Sequence, residues 1–211
     1  SCFSSSACTA YASTSLSVTS TADGTPQPAW FWAPKAEAKK PLLVELHSWS
    51  YGCTTDGKPH TVFLDRCRRA GWAFVLPNFR GPNKTPQACG SDLAVQDVMD
   101  AVAYAKAQTA VDEDRIYLVG SSGGGMMTLM MAGRHPDVWA ACYAACPLTD
   151  LARWHAETSS FGDWRSRYAR ELESSCGGTP AEKAEEYAHR SPLTHLAAAR
   201  RQGTVVDICE G

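Results

Sequence analysis

Arg115-Ile-Tyr-Leu-Val-Gly-Ser-Ser-Gly-Gly-Gly-Met-Met-Thr-Leu129 is the stretch whose reading decides the fold. Ile116 to Val119 is an apolar, β-favouring run, Met126 onward favours a helix, and Gly120-Ser-Ser-Gly-Gly124 fills the turn between them. That turn fits G-x-S-x-G with Ser122 at its centre. A nucleophile on so sharp a turn needs strained backbone angles, and neighbours without side chains leave room for them. Ser122 is therefore the candidate nucleophile. The alternative is a glycine-rich loop cradling a phosphate, which calls for G-x-G-x-x-G or G-x-x-x-x-G-K-[ST]. Neither occurs, and Met126 and Met127 stand where a phosphate loop would place its lysine.

Working outward, the same alternation of buried strand and amphipathic helix repeats. Upstream, Pro41-Leu-Leu-Val-Glu-Leu-His47 and Trp72-Ala-Phe-Val-Leu76 are near-continuous apolar runs, of the kind covered on both faces in a parallel sheet. Thr61 to Ala70 reads as a short helix closed by Gly71. Ser91 caps a longer one from Asp92 to Thr109, with Leu93, Val98, Ala101, Val102 and Ala105 on one stripe. Ser13 to Ser20 and Ala29 to Ala33 read as paired strands around the turn Thr21-Ala-Asp-Gly-Thr25. Downstream, His135-Pro136 breaks the helix that follows Ser122, and Val138 to Cys146 reads as a further buried strand. The pattern is that of an α/β protein with a mainly parallel sheet. Residues 147–202 are richer in charged and aromatic side chains, with helices expected at Asp163 to Ser174 and Ala181 to His189. We expect this segment to be an insertion covering the carboxyl edge of the sheet as a lid.

The 211 residues suit one domain, and 44% hydrophobic residues with a formal charge of −2 suit an ordinary soluble globular protein. Dispersed basic residues and short apolar runs point to neither a nucleic-acid nor a membrane partner. No cysteine or histidine spacing of a metal site is present, and no cofactor is expected. Nine cysteines favour disulfides in a secreted or periplasmic protein, while Cys142 and Cys146 fall in an apolar segment that reads as core. The Ser1 to Ala12 arm reads as irregular, pinned by Cys2 or Cys8. Thr204-Val-Val-Asp-Ile-Cys-Glu-Gly211 reads as a buried strand that stops at its loop, so residues 1–211 are expected to be an incomplete catalytic domain.

The chain resembles the α/β-hydrolase superfamily and, within it, the prolyl-oligopeptidase-like serine peptidases and related esterases. The resemblance is carried by Val44-Glu-Leu-His-Ser-Trp-Ser50, Pro77-Asn-Phe-Arg-Gly81, the Asp97 helix, Asp114 to Gly125 and Ser191-Pro-Leu-Thr-His195. It implies a serine hydrolase acting on a peptide or ester substrate. Its order of catalytic residues is Ser, then acid, then His, which places the last two beyond Gly211 and makes the 211 residues alone a poor catalyst. The resemblance also implies an oxyanion hole from the backbone N–H groups of Gly123 and of Ser48 or Trp49, with the Tyr51 hydroxyl as the alternative donor. His47, which precedes the turn, then holds that loop and is not the base. Arg80 is a candidate for binding a substrate carboxylate or carbonyl, with a structural salt bridge to Asp97 as the alternative. Asp150 is expected to cap a helix, and Asp207 to lie inside a strand. The reading from another class is a non-catalytic binding module on a hydrolase fold.

Overall fold

The computed structural model describes residues 13–202 and 205–209, so the arm carrying Cys2 and Cys8 lies outside the described residues, as do both ends of the Thr204 to Glu210 strand. β1 (Thr14–Thr19) and β2 (Pro26–Trp32) form the expected hairpin, with Leu16 opposite Ala29 and Gly24 at φ 75° in the turn. β3 (Lys40–Leu46) follows, then a small hairpin of β4 (Thr54–Thr55) and β5 (Lys58–Pro59). α1 (Leu64–Ala70) ends on Gly71 at φ 70°, and β6 (Ala73–Pro77) begins two residues later. In α2 (Asp92–Gln108) the Ser91 hydroxyl accepts from the Ala94 N–H at 3.1 Å, satisfying one of the amides that a helix start leaves unpaired.

β7 (Val111–Ser121) runs into α3 (Gly123–Arg134) through Ser122 alone, and β8 (Ala141–Ala145) follows. Four helices then precede the last described strand: α4 (Leu151–Ser159), α5 (Arg167–Cys176), α6 (Ala184–Arg190) and α7 (Leu196–Gln202). Short 3-10 turns at Trp164–Ser166 and Pro192–Thr194 introduce α5 and α7, and β9 is Val205–Cys209. Asp150 caps α4 by accepting from the Arg153 N–H at 3.0 Å, as expected.

The seven strands of the main sheet lie in the order β1-β2-β6-β3-β7-β8-β9. From β6 to β9 every pairing is parallel, and the β1-β2 edge is antiparallel. Alternation along β3 explains its unbroken apolar run. Leu42, Val44 and Leu46 face a core shared with α2 and α3, while Leu43 packs into a second cluster with Leu64 and Cys67 of α1. Helices thus sit on both faces, and the carboxyl ends of the parallel strands converge at one edge.

Three expectations need correction. Val138 and Trp139 are not part of β8. The Trp139 side chain, 3% exposed, enters the core between sheet and α3 with its indole N–H donating to the Met131 carbonyl at 3.1 Å, and a side chain anchored that way leaves the ladder to start at Ala141. Among the described residues Cys53, Cys67, Cys89, Cys142 and Cys176 are buried thiols that act as apolar side chains and form no disulfide. Burial pushes the Cys67, Cys89 and Cys142 thiols up to about 12. Finally, Cys146 is exposed at the strand end, where the core reading put it inside.

Candidate active site

Ser122 is held at φ 56° and ψ −118°, backbone angles that a side-chain-bearing residue rarely adopts, between the last residue of β7 and the first of α3. The Ser122 N–H donates to the Ala145 carbonyl at 2.8 Å, pinning the turn to the neighbouring strand end. The glycines around it are demanded by close approach. A Cβ on Gly123 would lie 2.6 Å from both the backbone N and the Cα of Trp49, and one on Gly120 or Gly124 would strike backbone atoms of Gly124 or Leu46. The backbones of Trp49 and of Gly123, the first residue of α3, therefore meet beside Ser122, and no hydrogen-bond acceptor holds the N–H of either among the described residues.

The loop after β3 is fixed from several sides. Ser48 Oγ donates to the Ser121 carbonyl at 3.2 Å, the Asn83 N–H donates to the Trp49 carbonyl at 2.8 Å, and the Trp49 indole N–H donates to Glu171 Oε2 on α5 at 2.6 Å. His47 is buried, stacks on Phe79 with ring centroids 3.9 Å apart, and has the Asn78 carbonyl 2.8 Å from Nε2 and the Ser48 carbonyl 3.0 Å from Nδ1. Burial lowers its pKa, against the two carbonyls, each of which favours a proton on the nitrogen it faces. Tyr51 is half exposed, with its ring 4.5 Å from that of His60.

Arg80 stands apart from the substrate-binding expectation. Its Nε donates to Asp97 Oδ2 at 2.5 Å, Nη1 to Asp23 Oδ2 at 2.8 Å, and Nη2 to Ser20 Oγ at 3.0 Å, with a side chain only 8% exposed. Each of the three nitrogens has an acceptor, so the geometry carries the structural ion pair with Asp97, the alternative to substrate binding.

The remaining histidines are engaged elsewhere. His60 Nδ1 meets Thr55 Oγ1, His155 Nε2 meets Glu173, His189 Nε2 meets Asp92, and His195 Nε2 meets the His189 carbonyl. His135 caps the far end of α3, about 18 Å along a 12-residue helix from Ser122. Among the described residues no histidine hydrogen-bonds to Ser122.

Some residues of this edge escaped sequence reasoning. Glu45, 8% exposed, accepts from the Thr61 hydroxyl and helps line a cavity of about 270 Å³ with His47, Ser48, His60, Ser121 and Tyr143. Burial pushes its carboxyl up to about 7. The signal was a carboxylate inside an apolar strand. A larger cavity, about 470 Å³, lies among Phe31, Lys35 and Gln108 at the amino edge of the sheet, away from Ser122. Trp154 and Tyr168 pack edge-on against Trp49, with centroids 4.8 and 6.3 Å away, and no local pattern in the sequence foretells that cluster. Among the described residues no group of three metal-ligating side chains occurs, and no helix is long and apolar enough to cross a membrane.

Against this geometry, the family model described as the prolyl oligopeptidase family matches residues 65–206, which include Ser122 and its flanking strand and helix. The chain belongs to the prolyl oligopeptidase family. Among similar members, acylamino-acid-releasing enzyme 1 of Oryza sativa subsp. japonica is 25% identical over 196 residues, covering 83% of this chain and 24% of that protein. The acylamino-acid-releasing enzyme of Rattus norvegicus is 26% identical over 145 residues, covering 62% of this chain and 18% of its own length. Poly(3-hydroxyalkanoate) depolymerase C of Paucimonas lemoignei is 27% identical over 124 residues, covering 49% of this chain and 27% of that protein. The chain thus spans about a quarter or less of the first two relatives. In fold it matches an acylaminoacyl peptidase solved with a chloromethyl ketone, at TM-score 0.68 and 18% identity over 93% of this chain and 36% of that one. A puromycin-hydrolyzing peptidase of Mycobacterium tuberculosis matches at TM-score 0.70 and 18% identity over 95% of this chain and 30% of that one. The chain therefore has the α/β-hydrolase architecture of these solved structures.

Proposed function

We propose that this chain carries the nucleophile of a serine hydrolase that cleaves a peptide or ester bond through an acyl-enzyme on Ser122. The observation that carries the reading is the strained Ser122 turn, with the backbones of Gly123 and Trp49, whose N–H groups have no acceptor among the described residues, in close approach beside it. In this mechanism Ser122 Oγ attacks the carbonyl carbon, and the oxygen that becomes negative accepts from the Gly123 and Trp49 N–H groups, at the positive end of α3. Ser48 positions the loop through its hydroxyl bond to Ser121, so Trp49 is the better donor of the pair. The leaving group departs protonated, and water then hydrolyses the acyl-enzyme.

The base and its orienting acid come, in this reading, from outside the described residues, because the histidines within them have other partners. Within residues 147–202, α4 and α5 cover the Ser122 side of the sheet in this reading, tied to the loop after β3 by the Trp49–Glu171 bond, whereas α7 packs on α3 with Ala199 in the main core. Family membership and relatives named for releasing acylamino acids support the peptidase form, and the depolymerase relative keeps the ester form open.

The absence of a histidine on Ser122 among the described residues favours a second reading, a binding module on the same fold. Fluorophosphonate labelling of the whole protein separates the two. A Ser122 adduct supports the hydrolase, and a folded protein that takes no label supports the module.

A further inference from the structure

Arg167, at the start of α5, is an exposed cation that meets the loop after β3 at Ser50. Its guanidinium carbon lies 5.2 Å from the Trp164 ring centroid and 4.9 Å from that of Tyr168. Its Nη2 donates to Ser50 Oγ at 3.4 Å and to Tyr168 Oη at 3.2 Å. Ser50 adjoins Trp49, whose Cα is about 3.8 Å away along the chain, and Trp49 is the residue whose backbone touches Gly123. A path of a few bonds therefore joins Arg167 to the atoms around Ser122.

Of the carboxylates near Arg167, Glu171 acts on its charge without pairing with it, and both Glu171 and Asp163 hydrogen-bond elsewhere. Glu171, one turn along α5, takes the Trp49 indole N–H at 2.6 Å, and Asp163 is held by Arg165 through contacts of 3.0 and 2.8 Å. Among the described residues Arg167 forms no ion pair, and its Nε and Nη1 have no acceptor. Two ring faces and two hydroxyls thus orient a planar donor whose remaining edge is open. A guanidinium edge of that kind matches a carboxylate with two parallel N–H···O bonds, and holding it over aromatic rings removes much of the entropy that a free arginine would lose on binding.

Resting on the serine hydrolase reading, we propose that Arg167 selects acyl groups bearing a second carboxylate a few carbons from the scissile carbonyl. Such a group belongs either to an acidic residue of a peptide or to the hemiester of a dicarboxylic acid. The chemistry is shared, and the test separates the sources.

In the whole protein carrying Ser122→Ala, calorimetric titration would compare N-acetyl-glutamate amide with N-acetyl-glutamine amide, and monomethyl glutarate with dimethyl glutarate. We expect the charged member of at least one pair to bind 10-fold or more tighter, and Arg167→Ala or Arg167→Gln to bring the ratio within about 2-fold. The pair that shows the preference names the source. A neutral ligand bound as well as its charged partner in both pairs would overturn the proposal, as would a preference that survives both Arg167 variants in folded protein. Because the titration needs no turnover, a protein that prefers carboxylates yet hydrolyses nothing would sink the hydrolase reading and leave the Arg167 assignment standing.

Discussion

Glu45 shows how a single buried residue leaves a measurable signature. Its carboxyl is pushed up to about 7 by burial, with the Thr61 hydroxyl and Val62 N–H only partly offsetting that cost. The ordinary value is about 4.3, so between roughly pH 4.3 and 7 the folded state binds the extra proton, and stability falls as pH rises through that window. A shift of this size corresponds to at most about 4 kcal/mol. Glu45→Gln should therefore stabilise the protein at pH 8 by up to that amount and change little at pH 4, as measured by urea unfolding at the two pH values. Equal effects at both would mean the carboxyl titrates normally. Arg80 makes the converse prediction. Asp97, with a side chain 1% exposed, loses its partner in Arg80→Met, and stranding a buried carboxylate costs about 3–5 kcal/mol. If Arg80 were instead a substrate contact, the variant would keep its stability and raise KM.

At the scale of elements, the loop after β3 and the start of α3 must meet backbone to backbone, and Gly123 is the point of meeting. Gly123→Ala puts a Cβ 2.6 Å from the Trp49 amide nitrogen, displacing one donor from the other. Turnover should fall about 10²-fold or more, the effect of losing an oxyanion donor, while Tyr51→Phe should change it little. A large drop in Tyr51→Phe at unchanged KM would move the donor role to that hydroxyl. Elements of this kind were legible where their cause is local. The Ser122 turn, the Ser91 and Asp150 caps, the Gly71 stop and the buried parallel strands all follow from short-range pattern. Contacts distant in sequence were not legible. The Trp49 indole meets Glu171 across 122 residues, and Trp139 leaves its strand for a carbonyl on α3. Arg80 lay between, since its pairing with Asp97 was one of two sequence readings and Asp23 was in neither.

Over the whole molecule, the parallel strands β6, β3, β7, β8 and β9 end at one edge, where the loop after β3 and the Ser122 turn stand side by side and α5 is tied to that loop. The family match covers the strand, turn and helix that set this geometry. If Ser122 is the nucleophile, a fluorophosphonate labels it covalently in the whole protein, and peptide mass spectrometry locates the adduct. One adduct on the peptide containing Ser122, absent in Ser122→Ala, is the predicted result. A folded protein that takes no label at Ser122, or one whose label persists in Ser122→Ala, would contradict it.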